Sequence, residues 1–273
     1  MAPIAARPAL FLAPHYDDVA LSCGGTAASF AAAGHPPHIV TVFASELVHG
    51  MVGGFAAWKH ERWGLRDPDA VHATRRAEDE RAARTLGCSL RWLGLPDAIY
   101  RGDRYASDGA LYGDLHPEEH ALADHLAEEV LHLPEWSQGM LAVVPLGVGR
   151  HVDHQLVFAA GRRLAARGVE VWAYEDLPYG IHTPSALPAR LQELGAAVGP
   201  ALLQPVGPGL PAKLEAIAAY ATQVPVIFRF TSDFRSAVRA HALAAGGESG
   251  PAERFWRVRA GDNAGPFATG TAP

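Results

Sequence analysis

Cysteine is scarce in this chain. Cys23 and Cys88 are the two among 273 residues, and neither sits in a CxxC. That excludes a disulfide scaffold, so both are read as reduced thiols packed near helix starts and strands. No apolar run approaches the roughly 18 uninterrupted residues of a membrane span. The first residues are read as lacking a secretory leader, since one Arg precedes only a short apolar stretch. Runs of like charge are missing too. A formal charge of −6 has the wrong sign for a protein whose main business is the phosphate backbone. Neither GxGxxG nor GxxxxGK[ST] is present, Ser22 and Ser45 lack a GxSxG setting, and no internal repeat occurs. The default reading is a cytoplasmic protein with neither nucleic-acid nor membrane partners.

What is present is globular: 49% hydrophobic and 19% charged residues. That length can bury a large core and is read as one domain over residues 1–273, with Gly261–Pro273 as a flexible tail. Residues 9–13 (ALFLA), 38–44 (HIVTVFA), 90–95, 140–145 (MLAVVP) and 169–174 (VEVWAY) are short apolar runs that suit buried parallel strands. Between them, residues 19–33, 74–86, 117–131 and the stretch through Ala166 carry helical patterns, the first two stopped by Gly34 and Gly87. Alternating strands and helices predict an α/β sandwich, doubly wound around a mostly parallel sheet. Beyond Glu175 the pattern weakens: helices are expected over 186–194, 211–222 and 233–244, and a strand over 253–258. Two long loops, 48–63 and 98–116, are placed to cover a site.

Two short motifs concentrate the chemistry. APHYDD at 13–18 follows the first strand, and GRHVDH at 149–154 follows the strand that ends at Pro145. Ligands of open parallel sheets bind beyond the carboxyl ends of the strands, where both motifs fall. His15 and Asp18 are three apart at a turn entering a helix, as are His151 and His154, so each pair can face one way. Imidazole and carboxylate suit a hydrolytic Zn²⁺, which needs three protein ligands and an open water position. If His15, Asp18 and His154 are the ligands, Asp17 and His151 remain nearby for proton transfer. Bound metal lowers the pKa of water to about 7. Asp17 is then a candidate base, and His151 a candidate acid or oxyanion partner. Asp153 is placed to keep His151 charged. The competing structural reading has the two aspartates capping a helix N-terminus. Gly24 and Gly25 are read as letting that helix approach the first strand.

These residues carry a resemblance. PHYDDVALSCGG at 14–25 resembles the PHPDDxxLxxGG signature of the PIG-L/LmbE-like zinc-dependent de-N-acetylases. GRHVDH resembles that family's HxDH motif, RRAEDERAARTLG at 75–87 its intervening helix, and YEDLPYG at 174–180 a stretch of one bacterial branch. The resemblance implies a Rossmann-like fold and hydrolysis of an N-acyl group, commonly the acetamide of an N-acetylglucosamine unit. It implies metal ligation by His15, Asp18 and His154, with Asp17 as base and His151 as acid or oxyanion partner. It also implies a substrate-contacting arginine at Arg75, with Arg76 as competitor and a helix charge pair to Glu78 or Asp79 as the bland alternative. Two positions depart from the pattern: Val19 stands where many members have Glu, and Tyr16 where Pro is frequent.

The expected partner is a small amino-sugar substrate, and the expected cofactor is Zn²⁺, with Fe²⁺ or Co²⁺ accepted by the same donors. Trp58, Trp63 and Tyr105 are candidates for stacking on a sugar. Rival readings are an amidase for a non-acetyl amide, such as a thiol-sugar conjugate or acylated natural product, and a non-catalytic carbohydrate binder. The oligomeric state is left open.

Overall fold

Five consecutive apolar residues form β1 (Ala9–Ala13), and every one of them is buried. Such a strand needs cover on both faces, and parallel neighbours with crossover helices supply it. The computed structural model describes residues 4–46, 52–65 and 67–260. The proposed tail from Gly261, and residues 48–51 of the first proposed loop, lie outside the described residues.

The remaining strands are β2 (His38–Thr41), β3 (Ser89–Trp92), β4 (Leu141–Pro145), β5 (Glu170–Tyr174), β6 (Val198–Pro205) and β7 (Ala252–Val258). They form one sheet in the order β3-β2-β1-β4-β5-β7-β6. The first five pair in parallel, with Phe11 opposite Ile39 on one side and Val143 on the other. β7 runs antiparallel to both β5 and β6, so the sheet is mixed at that end. The strand order reverses between β1 and β4, which opens the crevice where α/β sheets bind ligands.

The helices are α1 (Asp18–Ala32), α2 (Gly54–Arg62), α3 (Pro68–Leu86), α4 (Asp108–Leu111), α5 (Leu122–Leu131), α6 (Val152–Ala166), α7 (Tyr179–His182), α8 (Ala186–Leu194), α9 (Leu210–Ala218), α10 (Val224–Ile227) and α11 (Phe234–Gly246). Two large apolar clusters cover the sheet. Leu10, Leu12, Val40 and Val144 belong to one with Leu126 and Leu156. Phe11, Ile39 and Val143 belong to the other with Phe30 and Leu86. Successive strand residues thus point to opposite layers.

Three differences from the sequence reading have physical causes. The segment 48–63, read as a loop, contains α2, whose Gly53 and Gly54 hide a helix start. β6 escapes sequence reading because it is the edge strand, carries Pro200 and Pro205, and alternates between buried and exposed residues. Gly24 and Gly25 approach the far end of the chain instead of β1. A Cβ on Gly25 would lie 2.8 Å from Val206 Cβ, and one on Gly24 would lie 3.3 Å from Lys213 Cγ. There α1 departs from helical geometry at Cys23. Lys213 Nζ donates to Ser22 O at 3.0 Å, and Glu253 accepts from the Gly25 and Thr26 amides, so the groups freed at the kink are satisfied.

Candidate metal centre and active site

β1 ends at Ala13, and β2 holds the following turn: Val42 and Phe43 amides donate to Ala13 and Pro14 carbonyls at 2.8 and 2.9 Å. The turn delivers His15, Asp17 and Asp18 to the mouth of the crevice. On the other side, the connection after β4 winds through positive φ at Gly147, Gly149 and Arg150 before His151 caps α6. Asp176 secures that connection, its Oδ2 accepting from the Gly147 and Val148 amides at 2.7 and 2.9 Å.

The two motifs meet. The ring centroids of His15, His151 and His154 are 4.8, 5.4 and 5.3 Å apart. Asp18 Oδ2 lies 3.4 Å from His15 Nδ1 and 3.4 Å from His154 Nε2. For metal bonds near 2.1 Å, the edge of a tetrahedron is about 3.4 Å, so each of the two histidine nitrogens lies one such edge from Asp18 Oδ2, which also accepts from the His15 amide at 2.7 Å. Among the described residues, two groupings bring three ligand atoms within 4.8 Å of one another: His15, His151 and His154, or His15, Asp97 and Asp153. The last is disfavoured because Asp153 is saturated. Its Oδ1 accepts from Arg101 Nη1 at 2.6 Å, and its Oδ2 faces His15 Nε2 and the Ala98 amide, both at 3.0 Å.

Each imidazole of the His15, Asp18, His154 set has a carboxylate on its outer nitrogen. Asp153 Oδ2 faces His15 Nε2, and Asp176 Oδ1 lies 2.6 Å from His154 Nδ1. That arrangement fixes the tautomer and turns the inner nitrogen of each ring towards Asp18. Burial alone would lower both histidines, yet Asp97, Asp153 and Asp18 hold His15 well above 6.5. Asp18 and Asp176 likewise raise His154.

The expected pairing of Asp153 with His151 is corrected. The Asp153 carboxylate faces His15 and Arg101, and only its backbone amide donates to His151 Nδ1, at 3.2 Å. Burial and the neighbouring His15 push His151 well below 6.5, against the pull of Asp153. His151 Nδ1 serves as an acceptor, so in the neutral ring the proton sits on Nε2. Capping does not account for the aspartate pair. Asp17 occupies the N-cap position of α1, but its side chain makes no cap hydrogen bond. Burial and the adjacent Asp18 raise the Asp17 carboxyl, opposed by Arg75, whose Nη2 lies 3.9 Å from Asp17 Oδ1.

These groups form the floor of a 790 Å³ cavity whose lining includes His15, Asp17, Asp18, Arg75, His151 and His154. A family model described as GlcNAc-PI de-N-acetylase (PIG-L) matches residues 10–165, more than half of the chain. The chain belongs to this family. A 2'-N-acetylparomamine deacetylase of Niallia circulans is 31% identical over 187 residues, covering 63% of this chain and 68% of that protein. Among solved structures, an antimicrobial-reagent pseudoaglycone deacetylase superposes with a TM-score of 0.78 at 27% identity, over 94% of this chain and 99% of that one. A zinc-inhibited form of teicoplanin deacetylase superposes with a TM-score of 0.80 at 25% identity, over 94% and 99%. This PIG-L protein is accordingly an N-deacetylase.

Arg75 and Arg76 separate clearly in this family member. Arg75 is buried, lines the cavity, and stacks over the Tyr16 and Trp63 rings at 4.9 and 4.8 Å. Arg76 turns away to Trp92, Glu46 and the Ala44 carbonyl. The helix pairing offered for Arg75 does not occur, since Glu78 bonds Thr222 and Asp79 bonds Thr41, Trp92 and Tyr220. Trp58 and Trp63 line the cavity. Tyr105 does not: it is buried, donates to Glu119, and accepts from the His116 amide.

Sequence reasoning missed Asp97, Arg101, Tyr112, Asp176 and Tyr179. Asp97 lies 3.6 Å from His15 Nε2, and Tyr112 packs edge-on to His151 at 5.4 Å. Asp176 and Tyr179 fall inside the YEDLPYG stretch, which was the available signal. Asp97, Arg101 and Tyr112 lie in connections with no local pattern.

Proposed function

We propose that this chain hydrolyses the N-acetyl group of an amino-sugar conjugate, with a divalent ion, Zn²⁺ foremost, held by His15, Asp18 and His154. The observation that carries the reading is the position of Asp18 Oδ2, 3.4 Å from the inner nitrogens of both histidines. Its relatives named above, deacetylases for acetylparomamine and a pseudoaglycone, support an amino sugar on a larger carrier.

A bound ion in that position supplies a Lewis acid and lowers the pKa of water to about 7. Asp17, buried and raised by its surroundings, takes the proton of the attacking water. His151, which lines the cavity, donates from Nε2 to the oxyanion that develops on the amide carbonyl. Arg75 lies beside Asp17 and orients either that carboxylate or a substrate hydroxyl. Asp153 acts through His15, as a positioning residue.

The test is direct. Purified protein should hold about one divalent ion per chain and release acetate from N-acetylglucosaminides. A chelator should abolish the release, and added metal should restore it. Sustained acetate release from metal-stripped protein would overturn the proposal.

A further inference from the structure

The floor and the mouth of the cavity differ in charge. Of the carboxylates lining it, Asp17, Asp18 and Asp97 are buried on the floor beside His15. The fourth, Asp108, is tied to Lys59 at 2.6 Å. Arg75 faces Asp17. That leaves Arg62 and Arg229, both exposed at the rim, and no carboxylate among the described residues forms an ion pair with either. Arg62 lies over the Trp58 ring at 4.8 Å, and Arg229 holds only the Val226 carbonyl at 3.3 Å. A cationic rim on a chain of net charge −6 is a local arrangement, not a reflection of composition.

The same rim is apolar and aromatic. Trp58 is 41% exposed and Phe230 36%, the latter packed on the His182 ring at 5.1 Å. Leu177, Val226 and Ile227 line the wall below. A volume of 790 Å³ lies in the roughly 300–1,000 Å³ range that holds a drug-sized molecule, so one sugar on the floor leaves room above it.

We infer that the rim, through Arg62 and Arg229 with Trp58 and Phe230, selects an amino sugar whose aglycone is aromatic and carries an acidic group. The inference rests on the deacetylase reading, and it points away from a polycationic aglycone such as an aminoglycoside. A carboxylate or phenolate there gains charge-assisted hydrogen bonds from guanidinium groups that have no carboxylate partner among the described residues. Aromatic surface gains apolar contact with the exposed parts of Trp58 and Phe230, whose rings already pack on Phe55 and Arg62 and on His182 and Phe228. A polyamine would meet like charge at the entrance, at a cost that falls as salt screens it.

Three N-acetylglucosaminides test the idea: the phenyl glycoside, its 4-carboxy form and its 4-aminomethyl form. Binding is measured by calorimetry on the metal-loaded Asp17→Asn protein, so that no substrate is consumed. At low salt the carboxy form should bind about tenfold tighter than the aminomethyl form. The gap should narrow with added salt, and it should invert in protein that also carries Arg62→Glu and Arg229→Glu. In the wild-type enzyme KM should follow the same order. Equal binding of all three, or tighter binding of the amine, overturns the inference even if acetate is released from each. Charge-ordered binding without acetate release from any wild-type reaction would instead sink the deacetylase reading and leave the rim's selectivity standing.

Discussion

The carboxylate of Asp153 lies 3.0 Å from Nε2 of His15, a residue 138 positions earlier, and it is anchored there by Arg101. Arg101 in turn bonds Glu119 through Nε and Nη2 at 3.0 and 3.1 Å. A buried row, Glu119–Arg101–Asp153–His15, thus supports the first proposed ligand from behind. Asp153→Asn should weaken metal binding by about 10–100-fold, read by chelator competition. Unchanged affinity would remove Asp153 from the support of the site. Arg101→Met removes the guanidinium shared by two buried carboxylates, leaving Glu119 with Tyr105 and Arg104 and Asp153 with His15 and the Ala98 amide, and should cost about 3–5 kcal/mol in denaturant unfolding.

Asp17 and His154 should separate catalysis from metal binding. Asp17→Asn should keep the ion and lose about 10²–10⁴-fold in kcat. His154→Ala should lose both, because Nε2 and the Asp176 link disappear together. Metal content by mass spectrometry beside acetate release checks each. Near-normal turnover in Asp17→Asn would refute its role as base.

Protonation should compete with metal. In the metal-free chain burial lowers His15 and His154, but the surrounding carboxylates outweigh it and raise both above 6.5. A raised histidine stabilises the fold fully below its unfolded pKa of 6.5, and that contribution is lost as pH rises through the folded value. Ligation needs the neutral ring, so metal affinity should climb over the same range. Metal-free Tm should therefore fall as pH rises above 6.5, while the gain on adding metal grows. Melting curves with and without chelator read both trends.

A second pH effect has a different owner. Burial pushes Asp79 up to about 7, although Trp92 and Thr41 donate to it and the Tyr220 hydroxyl, which also reaches the Tyr16 carbonyl at 2.6 Å, lies 2.9 Å from it. The native state then holds a proton that the unfolded chain releases near 3.8. Its contribution is present below that value and lost as pH rises to about 7, on the order of 4 kcal/mol in all. Asp79→Asn should flatten the stability slope between pH 5 and 7, whatever it does to the baseline. A slope unaltered by the substitution would show that Asp79 titrates normally.

Gly149 holds φ at +85°, and a Cβ there would lie 2.5 Å from Tyr179 Cδ1. Gly149→Ala combines backbone strain with displacement of a ring that packs on His154 and Tyr112. A loss of about 1–3 kcal/mol is expected from unfolding curves, with weakened metal binding alongside.

Much of the fold is written locally. ALFLA and LAVVP are fully buried strands because five apolar residues in a row leave no face for water. The strands through Tyr174 follow such runs in order, whereas α2 and α4 lie in the two segments read as loops. After Glu175 local cues fade: β6 is an edge strand carrying prolines, and the antiparallel β7 takes its place by pairing with residues 47 to 85 positions away. The same holds within the site. His15, Asp18, His151 and His154 are compact motifs, whereas Asp97 and Arg101 belong to an irregular connection.

The order of residues alone placed two sets of donors at the ends of β1 and β4, since short apolar runs must become buried parallel strands. It also set the spacing that turns His15 with Asp18, and His151 with His154, to one side. Only the folded chain decided which carboxylate serves which ring. Asp153 reached His15 and not its neighbour His151, because the partner of a buried charge is chosen by the packing of distant segments. The charge of the rim was settled in the same way. Arg62 and Arg229 come from stretches far apart in the chain, and they share a surface because α2 and the Val224–Phe230 region fold over the same crevice.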